Sequence, residues 1–464
     1  MDILKLLPKG LKIESPFTWE LDQKQVHNVN KEDFIIADYD ESPITRFLEM
    51  NTFAYILCLQ GKIDEAEKLV KEISDLWKNI YESVSKDENY SVDVLIHIKN
   101  ATAYCIYLSA GKNDQAKALE IKIKDANDFT SDIEKGTIFG SQASAYVLFY
   151  ENILDSALKS AKLAVSYAPK CVLWHFVIAK CLRKKRRQNN VWYVSQEEQN
   201  EFLMCYKLSP SDLHSMAAAR MYKESRNWKK CSEIQNEIYR RGPTCIYVRL
   251  FLALCFINSK DFVKAKNCLD YIANLPAEKR SKTYYHYLAK YHEKKGNDLK
   301  AKENYLKAIG ETGNFPADMD YFNFIKRNSK NNDDAIKHLQ NMLERYENRE
   351  GYTLHILLSL AFIYLFDNND KKLAAEYFLK AVKTNPLHQQ LEEFRRPFEV
   401  KTKFNSFELI RKYLLTGNEK SYGTTLKELK NYCIEYENRK QNSNVLDSLN
   451  IKFGKARSLN LLKN

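Results

Sequence analysis

Two copies of one pattern stand head to tail in the middle of the chain, LHSMAAARMYKESRNWKKCSEIQNEIYRRGP at 213–243 and TCIYVRLFLALCFINSKDFVKAKNCLDYIANLP at 244–276. Each copy predicts a helix, a tight turn, a second helix and a closing proline. Small residues recur about one repeat apart, with Ala219 and Ala253 in the first helices and Cys231 and Ala265 in the second. Small residues mark the places where two helices approach closely, so the pattern indicates pairs of antiparallel helices.

The same pattern recurs along the chain. A glycine followed five residues later by an alanine marks further turns at Gly61, Gly111 and Gly296, because glycine tolerates the left-handed dihedrals of a sharp helix-to-helix turn. A period of about 34 residues built from two helices is typical of the tetratricopeptide repeat, in which no unit buries its apolar face alone. We predict an all-α fold, a tetratricopeptide-repeat superhelix that is a solenoid of helix-turn-helix units. Prolines close successive units at Pro169, Pro210, Pro243, Pro276, Pro316 and Pro386.

Three regions are predicted. Residues 1–42 form an N-terminal capping arm, whose Phe17 and Trp19 are expected to pack against the first repeat. Residues 43–387 form the superhelix of roughly nine units, with an insertion around 185–195 that enlarges one turn. The period fades after Pro386, and residues 388–464 are predicted to be C-terminal capping helices.

Composition describes a folded helical protein. The chain has 464 residues, of which only 13 are glycine and 10 proline, with 28% charged residues. The ten cysteines include no CxxC pair and lie among apolar residues, which predicts free thiols in a reducing compartment. The first residues lack an apolar run long enough for a signal peptide, and no stretch reaches 18 uncharged apolar residues. We expect a cytoplasmic protein without a membrane partner.

Signatures of catalysis are absent from the sequence. There is no HExxH motif, no glycine-rich phosphate loop and no serine in a nucleophile elbow. We therefore predict a protein that is not an enzyme, with no cofactor and no metal site.

The functional surface is predicted to be the concave inner face, which the first helix of each pair lines in this kind of repeat. The residue after each small packing residue points inward, and in the middle of the chain this position is basic. Cations on successive helices about 10 Å apart match phosphate spacing, and tyrosine or phenylalanine offers a face on which a base can stack. The predicted RNA-binding residues are Tyr146, Lys180, Arg183, Lys184, Arg220, Lys223, His286 and Lys290, with Phe149 as a further stacking residue.

A second interpretation stays open at this point. The net charge of +12 permits an acidic partner such as RNA, but lysine and arginine fill any solvated groove, and Glu224 and Glu293 lie nearby in sequence. The same groove is suited to a peptide. The basic run 183–187 is interpreted as a solvated helix end, as the floor of a phosphate site, or as a nuclear-import signal.

Several segments resemble the family of interferon-induced proteins with tetratricopeptide repeats. They are Phe17-Thr18-Trp19 followed by Ala54-Tyr55, the run AARMYK at 218–223 followed by a tryptophan, Leu254-Cys255-Phe256, and AAEYFLKA at 374–381. The resemblance extends over nearly the whole length. It implies a cytosolic protein that binds single-stranded RNA 5′ ends in a positively charged central tunnel and restricts viral translation.

The resemblance also implies roles for particular residues. Arg220 matches a phosphate-contacting cation of the family, and Arg183 lies within one position of another. The family's 5′-end-binding tryptophan and lysine fall at Thr137 and Ser141 or, with another gap placement, at Ser144 and Leu148. We therefore expect a groove that binds RNA without discriminating 5′ ends.

Two functional hypotheses follow. The first is a single-stranded RNA-binding repeat protein that acts in innate antiviral defence or translation control. The second is a protein-interaction scaffold that binds a peptide in the same groove and has no RNA role.

Overall fold

A computed structural model describes residues 11–21, 43–148, 153–189, 191–329, 331–395, 402–416 and 423–460, the last of these by backbone alone from 442 onward. The chain divides into two compact units, Met1–Cys255 and Phe256–Asn464. The predicted all-α fold is confirmed, because paired helices make up almost all of the described chain.

The first unit contains five helical hairpins in its described residues, and each hairpin packs against the next. Helix α11 begins in this unit and carries the unit boundary. The helices are α1 (Pro43–Leu59), α2 (Ile63–Val84), α3 (Val92–Ser109), α4 (Asn113–Glu120), α5 (Asp132–Leu148), α6 (Leu154–Tyr167), α7 (Val172–Gln188), α8 (Gln196–Leu208), α9 (Asp212–Glu224), α10 (Trp228–Arg241) and α11 (Ile246–Asn258).

The second unit continues with α12 and then, in its described residues, three more hairpins. Its helices are α12 (Phe262–Ala273), α13 (Lys282–Lys294), α14 (Asp298–Ile309), α15 (Phe315–Asn328), α16 (Asp333–Arg345), α17 (Glu350–Phe362), α18 (Lys371–Thr384), α19 (Ser406–Leu409) and α20 (Gly423–Asn460). A π-helical turn, Ile363–Asp367, follows α17. Two short antiparallel strands, β1 (Phe394–Arg395) and β2 (Lys403–Phe404), pair before α19.

The glycine turns have the predicted conformation. Gly61, Gly111 and Gly296 have φ of 77°, 71° and 74°, in the left-handed region that favours glycine. The alanines that follow them are almost completely buried between the paired helices, as are Ala219 and Ala253. Small residues therefore set the close approach of helices that the sequence indicates.

The core of each unit is a chain of apolar contacts that passes from one hairpin to the next. All ten cysteines are free thiols, and eight of them are buried. Among the described helices, none is both long and apolar enough to cross a bilayer.

Candidate nucleic-acid interface

Helix α7 carries three of the predicted cations and is held in place by its own first half. Residues 173–179 are all buried, which fixes the rotation of the helix. The second half then presents Lys180, Arg183 and Lys184 at half-buried positions. Helix α9 holds Arg220 in the same way, because Ala217, Ala218 and Ala219 before it are buried.

The Arg220 guanidinium lies against two aromatic rings of α11. Its carbon is 5.3 Å from the centre of the Tyr247 ring and 5.0 Å from that of Phe251. Its Nη1 donates a hydrogen bond of 2.9 Å to the Tyr247 hydroxyl. No carboxylate of the described residues forms an ion pair with it. Arg220 thus holds a positioned positive charge that stacking stabilises, and within the described part of the chain no carboxylate pairs with it.

Lys180 and Lys184 lie next to each other on α7 near Glu49 of α1. The Lys180 Nζ is 4.7 Å from the centre of the Phe176 ring, and Lys184 donates a hydrogen bond to the Val147 carbonyl. Burial lowers the pKa of both ammonium groups, and for Lys184 the Lys180 charge adds to the effect. Burial likewise raises the pKa of Glu49, and the charges of Lys180 and Lys184 act on it in the opposite direction.

Arg183 brings the charges of α7 and α9 together. Its guanidinium stacks 4.0 Å from the centre of the Phe202 ring, and its Nε lies 3.6 Å from Glu198 Oε1 and 3.7 Å from Glu224 Oε2. Burial lowers its pKa to about 10, and the charges of Arg187 and Arg220 act in the same direction against the attraction of Glu198 and Glu224. We call Lys180, Arg183, Lys184 and Arg220 the cation cluster. Within it the charge of Lys180 opposes that of Lys184, and the charge of Arg220 opposes that of Arg183, so a bound anion would stabilise both pairs.

The basic run at the end of α7 is largely occupied by internal ion pairs. Arg186 binds both oxygens of Glu198, at 2.7 and 3.0 Å, and Glu198 is completely buried. Arg187 donates to Glu224 at 2.6 Å, and Arg186 also pairs with Glu224. The run therefore ties α7 to α8 and α9. This is a structural role that none of the three interpretations from sequence included.

The remaining predicted residues are dispersed. In the second unit, His286 Nε2 and Lys290 Nζ both bind one Asp320 oxygen, at 2.8 and 2.6 Å. These two partners hold the pKa of Asp320 down to about 2 despite its burial, so this anion already neutralises part of the predicted site. Lys223 is exposed on α9, three residues beyond Arg220, while Phe149 lies outside the described residues.

The N-terminal segment 11–21 covers the first helices of the first three hairpins. Phe17 packs edge-on against Tyr55 of α1 with ring centres 4.9 Å apart. The Glu14 amide donates to His97 Nε2 of α3 at 2.9 Å, and Gln142 of α5 donates to the Glu14 carboxylate at 3.1 Å. The expected packing of Phe17 on the first repeat is observed, whereas Trp19 is buried and its indole donates to the Glu14 carboxylate at 2.6 Å. The segment also reaches two further repeats.

This segment limits the surface on which a ligand could bind. Tyr55 of α1 and Cys105 of α3 are buried. Tyr146 is half-buried beside the segment, where burial and the charges of Glu20 and Glu14 raise its pKa. The open cationic surface of the first unit therefore begins at α7.

Sequence reasoning missed the groups that hold the cation cluster. Tyr247, Phe251 and Phe202 stack on its arginines, and Glu198 is buried against the run. Phe202 lies on α8, the partner helix of α7, and Tyr247 and Phe251 lie on α11, but nothing in the sequence distinguishes these aromatics from core residues. Groups of three or more side chains that could bind a metal ion are absent from the described part of the chain.

The fold is similar to solved repeat proteins, although no protein-family model and no curated protein matches the sequence. A human IFIT1 dimer with PPP-AAAA superposes with a TM-score of 0.56 at 14% identity, covering 93% of this chain and 98% of that one. A human IFIT1 dimer with m7Gppp-AAAA gives 0.57 at 16%, covering 90% and 98%. An IFIT1 monomeric mutant with Gppp-AAAA gives 0.57 at 16%, covering 93% and 98%. At such identities the likeness shows a shared tetratricopeptide-type fold alone.

Proposed function

We propose that this chain binds single-stranded RNA, with the cation cluster of α7 and α9 holding consecutive phosphates. The observation that carries the proposal is Arg220, whose charge is fixed by two rings and is not paired with a carboxylate of the described residues. The role in innate antiviral defence or translation control, implied by the family resemblance, would depend on this binding.

The charge balance around the cluster supports an anionic ligand. Among the described residues, the cationic side chains of Lys180, Arg183, Arg186, Arg187 and Arg220 are set against three carboxylates, Glu49, Glu198 and Glu224. Burial costs each uncompensated cation free energy, and a phosphate recovers part of it through charge-assisted hydrogen bonds. RNA supplies such phosphates at regular intervals, whereas an ordinary peptide does not.

The likeness to IFIT1 structures is consistent with this ligand class. The solved neighbours hold PPP-AAAA, m7Gppp-AAAA and Gppp-AAAA. In this chain the positions matched to the family's 5′-end residues are poorly suited to a terminal phosphate. Thr137 and Ser141, the match in one gap placement, are buried, and the Thr137 hydroxyl is occupied by Ile133 O and the Ser91 amide. Ser144 and Leu148, the match in the other, are half-buried, and the Ser144 hydroxyl donates to Gly140 O. The proposed ligand is therefore internal phosphates rather than a particular 5′ end.

The alternative, a peptide-binding scaffold, makes an opposite prediction in one competition. A labelled 12-nucleotide oligouridylate is bound to the protein and analysed by mobility shift, then challenged with unlabelled RNA or with a glutamate-rich peptide of equal charge. The RNA should compete at least ten times better. If the peptide competes as well as the RNA, or if the protein binds the peptide but not the RNA, the proposal is overturned in favour of the scaffold.

A further inference from the structure

Large aromatic side chains are exposed where α7 ends. Trp192 and Tyr193, in the enlarged turn between α7 and α8, are 69% and 58% exposed, and their rings meet edge-on at 5.8 Å. Val194 next to them is buried, and Ser195 caps α8. The backbone that follows the two aromatic residues is therefore held in place. Exposed tryptophan and tyrosine together are unusual on a surface that binds nothing.

An arginine of the next hairpin lies against Trp192. The Arg226 guanidinium carbon is 5.1 Å from the centre of the Trp192 ring. Arg187, close by in the same turn region, is 62% exposed and pairs with Glu224, two residues before Arg226. The turns after α7 and after α9 thus meet through both an aromatic contact and an ion pair. We call Trp192, Tyr193 and Arg226 the rim platform.

The backbone at Arg226 has the left-handed conformation, which is strained for a residue other than glycine. Several other turns have glycine at this place. Arg226 has φ of 59°, and the equivalent place in three other hairpins is taken by Gly61, Gly111 and Gly296 with φ of 71–77°. A non-glycine residue there costs about 1 kcal/mol. Lys260 has φ of 63° at the same place in the turn after α11, so the fold accepts a long cationic side chain there, and at Arg226 that side chain lies on the Trp192 ring.

The surroundings of the platform favour a polyanion as its occupant. Lys223, Lys229 and Lys230 are exposed on the same stretch of chain, and the carboxylate of Glu224 is already bound by arginines. Arg226 lies six residues beyond Arg220, about 9 Å along a helix axis, so a strand held at the cation cluster would reach the rim platform within a few nucleotides. Aromatic faces beside cations are the arrangement that binds unpaired bases.

We infer that the rim platform is a base-stacking subsite, on which bases of the same RNA strand stack against Trp192 and Tyr193 while Arg226 contacts the backbone. This inference rests on the proposed function and extends it, because it assigns base recognition to a surface outside the predicted inner face. It also explains the insertion after α7, which the fold itself does not require. The stacking would be tolerant of sequence, since every base offers a face.

The test compares two 12-nucleotide probes, oligouridylate and the same ribose-phosphate chain without bases, by fluorescence anisotropy. Trp192→Ala should weaken oligouridylate binding about fivefold or more, from the loss of one stacked base, and should leave the abasic probe and the salt dependence unchanged. Tyr81→Ala, which removes a 45% exposed aromatic of α2, is the matched control and should change neither probe.

Arg226→Gly provides a second variant with an independent readout. It places glycine in a left-handed turn, so the unfolding midpoint should stay equal or rise, while oligouridylate binding weakens. If the unmodified protein binds both probes and neither variant alters either affinity, the platform is not an RNA subsite, and the exposed rings are assigned to a protein partner. If the unmodified protein binds neither probe, the proposed RNA function fails, and the inference fails with it.

Discussion

Replacing Gly140 by alanine tests how tightly the hairpins that carry the cation cluster are packed. Gly140 lies in the middle of α5, and Trp174 of α7 lies directly against it. A Cβ built at Gly140 would be 2.4 Å from two carbons of the Trp174 indole, far inside van der Waals contact. The indole is completely buried and meets Tyr90 edge-on at 5.6 Å, so a shift of the indole would disturb neighbouring core residues.

The expected cost can be estimated from two opposing effects. Alanine is normally the better helix former by about 1 kcal/mol. Forcing a methyl group into a packed core costs about 1–3 kcal/mol and more when neighbours cannot shift. Because α7 must move for the methyl group to fit, the clash should win, with a net loss of about 1–2 kcal/mol.

The assay is urea unfolding followed by circular dichroism at 222 nm, with Gly351→Ala as the matched control. Gly351 lies in α17, where an added Cβ would meet nothing nearer than His388 Nε2 at 3.9 Å, so this variant should be as stable as the unmodified protein or slightly more stable. The reasoning is refuted if Gly140→Ala unfolds at the same urea concentration as the unmodified protein or at a higher one. An equal loss in both variants would show that the close approach to Trp174 is not the cause.

Three further predictions concern the 5′ end, pH and the buried ion pair. The affinities for the triphosphate, monophosphate and hydroxyl forms of one RNA, measured by competition, should agree within about tenfold, or 1.4 kcal/mol, because Thr137 and Ser141 are buried. A stronger preference for the triphosphate would show that another cation binds the 5′ end. Burial lowers the pKa of His97 to about 4, so the unfolded chain takes up this proton more readily and the free energy of unfolding should fall as pH drops from 6.5 to 4. This fall should be shallower in His97→Gln, measured by urea unfolding across that range, and identical slopes in both proteins would contradict the assignment. Glu198→Gln should lose about 2–3 kcal/mol of stability, since it weakens a buried ion pair with Arg186. The control is Glu197→Gln, which should lose under about 1 kcal/mol because the Glu197 side chain is 49% exposed. Equal losses of unfolding free energy in the two variants would mean that the burial of Glu198 is unimportant.

The helical hairpins were predictable because their determinants are local. A glycine or proline at a turn, a small residue at each helix crossing and the 3.6-residue period all lie within one repeat. The turn at Arg226 shows the limit of this signal, because an arginine there has the left-handed conformation that glycine has elsewhere. Only the structure reveals that the position is equivalent.

The candidate site was predictable only in part, since charge compensation is a matter of distant partners. The sequence indicates that Lys180 and Arg220 lie on first helices, but not that Asp320 binds both His286 and Lys290. It also gives no sign that Glu14 reaches Gln142 across 128 residues. Contacts between residues so far apart in sequence depend on how the hairpins stack. The local periodicity of the sequence does not specify that stacking.

Binding of RNA phosphates by the cation cluster would make RNA affinity depend on salt concentration. Four phosphate contacts on a single strand give a slope of log affinity against log salt near −3, at about −0.7 per contact. Arg220→Glu should weaken binding of a 12-nucleotide oligouridylate at least tenfold and make the slope shallower by about 0.7. Lys68→Glu makes the same charge change at an exposed position of α2 and should leave both the affinity and the slope nearly unchanged. Equal losses in the two variants would show diffuse surface attraction, and an unchanged affinity in Arg220→Glu would contradict the assignment of the cluster to RNA.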